Sequence, residues 1–154
     1  MKEQLISILK HFDLINKDQE KVFEYRELEG ITNNSYLTDL GKNKYVVRIP
    51  GINPDLIDRT SEFKNHILAN GLEITLPFIY FDEKTGIKIS EYIPELGSFS
   101  AEDFNNSELR KNAFSKLSRL HKSNLTFEDN FSPMKAFLGL AENADELTEK
   151  ARTV

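Results

Sequence analysis

Three kinds of side chain, met in one order, are where this sequence could do chemistry. A glycine-led run of small polar residues comes first, with Gly30, Thr32, Asn33 and Asn34. An arginine follows, Arg48, set among valines and isoleucine, and then a glutamate, Glu62. Small residues let backbone N–H groups approach an anion, and a nearby cation offsets its charge. A carboxylate that orients the cation completes a phosphate site. Each part also has a plainer reading: Gly-Ile-Thr-Asn-Asn as a turn, Arg48 as a strand arginine reaching solvent, Glu62 as part of a charged helix face. Their order along one lobe makes the set more specific than its members.

The elements that must position them follow from periodicity. Leu5, Ile8, Leu9 and Phe12 recur at helical spacing and predict an amphipathic helix over residues 2–12. "NKDQE" reads as a polar turn. "KVFEYREL" alternates, with Phe23 and Tyr25 on one face and Glu24 and Arg26 on the other, as a strand with one face in water does. "SYLTDL" is a second strand, and Gly41 turns it into a third, "KYVVRIP". Asp55 is the expected N-cap of a helix carrying Leu56, Phe63 and Ile67 on one stripe, with Gly71 just past its end. "FIYFD" and "IKISEYI" are two more strands joined by "EKTG", with Gly86 at positive φ, and Pro94 ends the sheet. Beyond it the pattern is helical. Ser107 is the expected cap of a helix whose Leu109, Ala113, Leu117 and Leu120 line one face, and Ser132 and Pro133 open another over residues 132–150.

The fold class predicted is therefore α+β. A five-stranded antiparallel sheet with one inserted helix occupies residues 1–93, and the first helices of a second unit occupy residues 94–154. The chain's 154 residues suffice for one real core, and 39% hydrophobic with 29% charged residues is ordinary for a globular protein. A net charge of −5 argues against a general nucleic-acid binder. No apolar run is long enough to span a bilayer, the N-terminus lacks a signal peptide's apolar core, and the simplest location is cytoplasmic. Without cysteine, disulfides and thiolate metal sites are excluded.

Kinase-like phosphotransferases build a nucleotide site from this sequence of elements. A loop between the first two strands covers the phosphates, a third-strand cation touches them, and a glutamate on the next helix orients that cation. The last strand, through Glu91, Tyr92 and Ile93, then takes the place of the hinge that hydrogen-bonds adenine. The segments "YRELEGITNNSYLTDLGKNKYVVRIPG", "INPDLIDRTSEFKNHILANGL", "FIYFDEKTGIKISEYI" and "LSRLHKSN" resemble the N-terminal part of bacterial choline kinases, over residues 23–124. These belong to the choline/ethanolamine kinase and aminoglycoside phosphotransferase group, whose fold is protein-kinase-like.

The resemblance implies a kinase-like N-lobe that binds ATP. Gly30, Thr32, Asn33 and Asn34 would lie over the nucleotide, Arg48 would touch phosphate with Glu62 as partner, and Glu91, Tyr92 and Ile93 would form the hinge. It implies magnesium as cofactor and choline or a similar small alcohol as substrate. The family's second lobe supplies a His-x-Asp loop, an asparagine five residues beyond that aspartate, a magnesium-binding aspartate and an aromatic cage for the quaternary ammonium. These 154 residues contain no such set. His11-x-Asp13 has Asp18 where the asparagine should stand and precedes the first strand. His66 is expected to face water and His121 to pack or hydrogen-bond, and no histidine pair has metal-ligand spacing. The expectation is an N-terminal portion with no catalytic or metal-ligating residue of its own, inactive alone, with an exposed apolar patch on its last helices that favours homo-oligomers. The alternative is a nucleotide-binding or protein-interaction module derived from a kinase lobe. Arginine rather than lysine on the third strand suits phosphate, its planar fork being matched to it.

Overall fold

The computed structural model describes residues 1–28, 30, 33–51, 57–94 and 100–128. Its elements in chain order are α1 (Lys2–His11), α2 (Lys17–Lys21), β1 (Glu24–Leu28), β2 (Asn33–Asp39), β3 (Lys44–Pro50), α3 (Arg59–Gly71), β4 (Tyr80–Phe81), β5 (Lys88–Glu91) and α4 (Ser107–Lys122). The five strands form one antiparallel sheet, as expected, and its order is β1-β2-β3-β5-β4. Gly41, at φ +83°, turns β2 into β3, where the Leu40 N–H donates to the Asn43 carbonyl at 2.9 Å. Gly86, at φ +69°, closes the β4–β5 hairpin. β4 is only two residues long, and the flanking Ile79 and Asp82 N–H groups donate to the Ile89 and Ile87 carbonyls.

Side-chain alternation gives β3 two unlike faces. Tyr45 and Val47 point to one, where they join Tyr36 and Leu40 from the β2 side, Ile89 from β5 and Phe23 from just before β1. Helix α1 covers this face, and its Leu5 and Leu9 are fully buried. Phe12 lies against Tyr80 and extends the same core. Val46, Arg48 and Pro50 belong to the opposite face, which α3 covers. There Phe63 packs with Phe78 and Phe81, ring centres 5.5–5.7 Å apart. One face of the sheet is thus a dry support and the other holds the charged groups.

Several local expectations are corrected. "NKDQE" is a helical turn, α2, because Asn16 and Gln19 form a reciprocal capping box. Phe23 is buried, but Tyr25 is 40% exposed, since β1 is an edge strand with α1 covering only its start. The cap of α3 is Asp58, which accepts from the Thr60 and Ser61 N–H groups; Asp55 and Leu56 lie outside the described residues. Its buried residues are Arg59, Ser61 and Ala69; of the expected apolar stripe Phe63 packs inward against Phe78 and Phe81, whereas Ile67 is 48% exposed. Asn106, not Ser107, caps α4 through the Glu108 and Leu109 N–H groups. Helix α4 buries none of its residues, and Leu109, Phe114 and Leu117 are exposed. The helix expected over residues 132–150 lies outside the described residues.

Gly71 is the last helical residue of α3, and Glu73 takes the left-handed position at φ +55°. The Glu73 and Ile74 N–H groups close the helix end onto Asn70 and Ala69. An L-residue there is strained, and the Glu73 contact with Arg119 is exposed and weak. Glu73→Gly is expected to stabilise the protein by about 0.5–1 kcal/mol, read as a higher urea midpoint at unchanged slope.

Candidate anion site

Arg48 and Glu62, on β3 and α3, meet. Arg48 Nη1 donates to Glu62 Oε1, and Nη2 donates to Oε2 at 3.1 Å, so guanidinium and carboxylate engage as two forks. Arg48 Nη2 also donates to the Gly86 carbonyl at 3.1 Å, and the guanidinium lies 5.3 Å above the Phe81 ring. The arginine is held on three sides by β5's turn, β4 and α3.

A second arginine, which sequence reasoning passed over, shares the carboxylate. Arg59 Nη1 donates to Glu62 Oε2 at 2.7 Å, and its Nη2 donates to Asn33 Oδ1 at 3.1 Å. Arg59 is 8% exposed and sits one helical turn before Glu62. That i,i+3 spacing was the available signal. A third cation, Lys88, stands opposite Arg48 in the β3–β5 register and is half-buried. These four groups hold three positive charges against one negative.

Charge and burial together set the protonation states. Burial alone would raise the Glu62 carboxyl, but hydrogen bonds from Arg48 and Arg59 outweigh it and hold the group below the usual glutamate range. Burial, then repulsion from Arg48, lowers the Lys88 ammonium, with Glu62 only partly compensating. The Nε atoms of Arg48 and Arg59 are buried without a hydrogen-bond partner among the described residues. Surplus positive charge is what a bound anion relieves, so this cation set fits a polyphosphate.

Glycine is required twice. A Cβ on Gly30 would stand 2.6 Å from the Asn33 carbonyl oxygen. On Gly86 it would meet Arg59 Nε at 2.7 Å and Pro50 Cγ at 2.9 Å, at a φ that already disfavours L-residues. Asn33 and Asn34, expected in the loop, are the first residues of β2, paired with Pro50 and Ile49, because β3 continues far enough to extend the ladder. Thr32 lies outside the described residues. Asn33 nonetheless reaches the cluster through Arg59, whereas Asn34 is exposed.

Glu91 ends β5 opposite Tyr45, the Tyr92 N–H donates to the Lys44 carbonyl at 3.0 Å, and Ile93 is half-buried beyond. Glu91 is the last residue of β5 and Tyr92 and Ile93 follow it, and none of the three takes part in the hydrogen bonds described for the arginine cluster. Glu91 and Tyr92 instead border a hollow of about 290 Å³ with Lys44, Tyr45 and Pro94. His66 does not simply face water, since its Nε2 lies 2.8 Å from the Leu76 carbonyl and its ring stands edge-on to Phe78. Among the described residues no group of three or more His, Asp or Glu side chains could hold a metal ion. No helix among them is long and apolar enough to cross a membrane.

Helix α3 is also tied to the segment beyond α4. Asn65 exchanges two hydrogen bonds with the Glu128 backbone, at 2.6 and 2.7 Å, and Lys64 meets both Glu128 carboxylate oxygens at 2.9 Å.

No protein-family model matches the chain. Protein LicA of Haemophilus influenzae is 30% identical over 125 residues, which is 77% of this chain and 36% of that protein. The chain thus spans well under half of the curated relatives it matches. Among solved structures, choline kinase LicA from Streptococcus pneumoniae superposes with a TM-score of 0.68 at 24% identity, covering 84% of this chain and 44% of that one. A LicA structure in complex with AMP superposes with a TM-score of 0.64 at 24% identity, covering 84% and 45%. The fold is the protein-kinase-like one, and the partial coverage fits an N-terminal portion.

Proposed function

We propose that this chain, an N-terminal homologue of the LicA and choline kinase family, is the nucleotide-binding lobe of an ATP-dependent kinase acting on choline or a similar small alcohol. The observation that carries this reading is the forked Arg48–Glu62 pair with Arg59 and Lys88 around it, on the strand and helix where kinase-like folds place their phosphate cation and its partner. Arg48 would hold nucleotide phosphate, Glu62 would fix Arg48, and the Gly30 turn would approach the phosphates from β2's edge. Glu91, Tyr92 and Ile93 would border adenine. An AMP complex in a structural neighbour supports a nucleotide as ligand, and use of ATP fits the cytoplasm.

Magnesium, when bound, would neutralise phosphate charge. The 154 residues hold no His-x-Asp loop followed at the right spacing by asparagine, so on its own this polypeptide binds without turning over. A second reading, a protein-interaction module built on the lobe, is favoured by the exposed Leu109, Phe114 and Leu117 of α4.

Calorimetric titration of the purified chain with ATP decides between them. Saturable binding is expected, weakening as salt is raised, with adenosine at least about tenfold weaker because it lacks the phosphates. Folded protein that binds no ATP up to about millimolar concentration, near −4 kcal/mol of binding energy, would overturn the reading and move the interaction module ahead.

A further inference from the structure

Two arginines share one carboxylate, and the arrangement is unequal. Arg48 gives both ends of its fork to Glu62, whereas Arg59 gives Glu62 one donor and Asn33 the other. Were Arg48 and Glu62 alone, an anion could take Arg48 only by leaving a half-buried carboxylate unpaired, which is strongly unfavourable. With Arg59 fixed beside it, Glu62 would stay neutralised if Arg48 turned part of its fork to an anion.

We propose that Arg59 is a positioning residue for nucleotide phosphate: by sharing Glu62 it leaves Arg48 with charge to offer the ligand. Arg59 is suited to stay behind. It is more buried than its partner carboxylate, and the bare Cα of Gly86 packs against its side chain. Its second anchor is Asn33, the first residue of β2, so the same side chain joins helix and strand. The role depends on charge sharing, which separates it from a merely structural one.

The inference rests on the ATP-site reading, and ATP titration of four proteins tests both. Arg59→Met should weaken ATP binding about tenfold, the size of one lost charge contact, because Arg48 is then locked in a one-to-one pair. Arg59→Met combined with Glu62→Gln removes the competing carboxylate and should restore affinity to within about threefold of the native chain, a non-additive result. Arg59→Lys keeps the charge without the fork and should likewise stay within about threefold. If Arg59→Met does not fold, the double variant and Arg59→Lys carry the test alone. A tenfold loss in either, or unchanged or tighter binding by Arg59→Met, would overturn the proposal while leaving the ATP site standing. Absence of ATP binding by the native chain would remove both.

Discussion

Glu62→Ala should destabilise the lobe by about 3 kcal/mol, because it leaves Arg48 and Arg59 facing each other with no anion between them. For a chain of this length that corresponds to a fall of about 6–12 °C in Tm. Arg48→Ala should cost less, since Arg59 still neutralises Glu62. An ordering in which the arginine variant is the less stable would contradict charge sharing at this carboxylate. Acid should produce a milder version of the Glu62 loss. The folded carboxyl lies below its usual range, so its contribution is present above the unfolded-state value, roughly pH 4.3, and disappears as pH falls through the lower folded-state value. Urea melts from pH 7 downward should show that loss in the native chain and not in Glu62→Gln.

Leu9→Ala should be equally damaging from the other side of the sheet. Leu9 is fully buried in the cluster containing Tyr36, Tyr45, Val47 and Ile89. Its truncation combines lost apolar transfer with a cavity that strands on three sides cannot collapse to fill, about 3 kcal/mol within the usual range for such changes. The consequence reaches the anion site, because Val47 is covalent neighbour to Arg48 and points the opposite way. ATP affinity measured well below the variant's Tm should survive. A loss of binding with stability unchanged would mean that α1 acts on the site rather than supporting the sheet.

The sheet was legible because its signals are local and steric. Alternation marks the strands, and Gly41 and Gly86 occupy turns that need positive φ. The Arg48–Glu62 pairing was legible through the resemblance to kinase-like lobes, which pair a third-strand cation with a glutamate of the next helix. Arg59 was not, because a charged residue one turn before a glutamate reads as solvated helix surface until the sheet is placed beneath it. The same blindness narrowed the apolar stripe of α3: its inward side combines Phe63 with ion pairs and small residues, and Ile67 is left outside. Helix ends were misread where two adjacent residues could both do the work, as with Asn106 and Ser107, or where a strained Glu73 took the turn that Gly71 was expected to make. Asn33 and Asn34 looked like loop because asparagine favours turns, yet pairing with Pro50 and Ile49 draws them into β2.

The order β1-β2-β3-β5-β4 has a consequence for how the protein is made. β1, β2 and β3 are joined by short turns and can pair as soon as they are synthesised, whereas β3 meets β5 only after the intervening helix has been laid down. That closure is the costly one, since the entropy of the long connection is lost before its contacts form. Glu62 arrives with α3 and Gly86 and Phe81 with the β4–β5 hairpin, so a chain halted after β3 would display Arg48 with none of the partners that hold it. The anion site should therefore be among the last features to assemble, appearing together with the completed sheet rather than growing along with it.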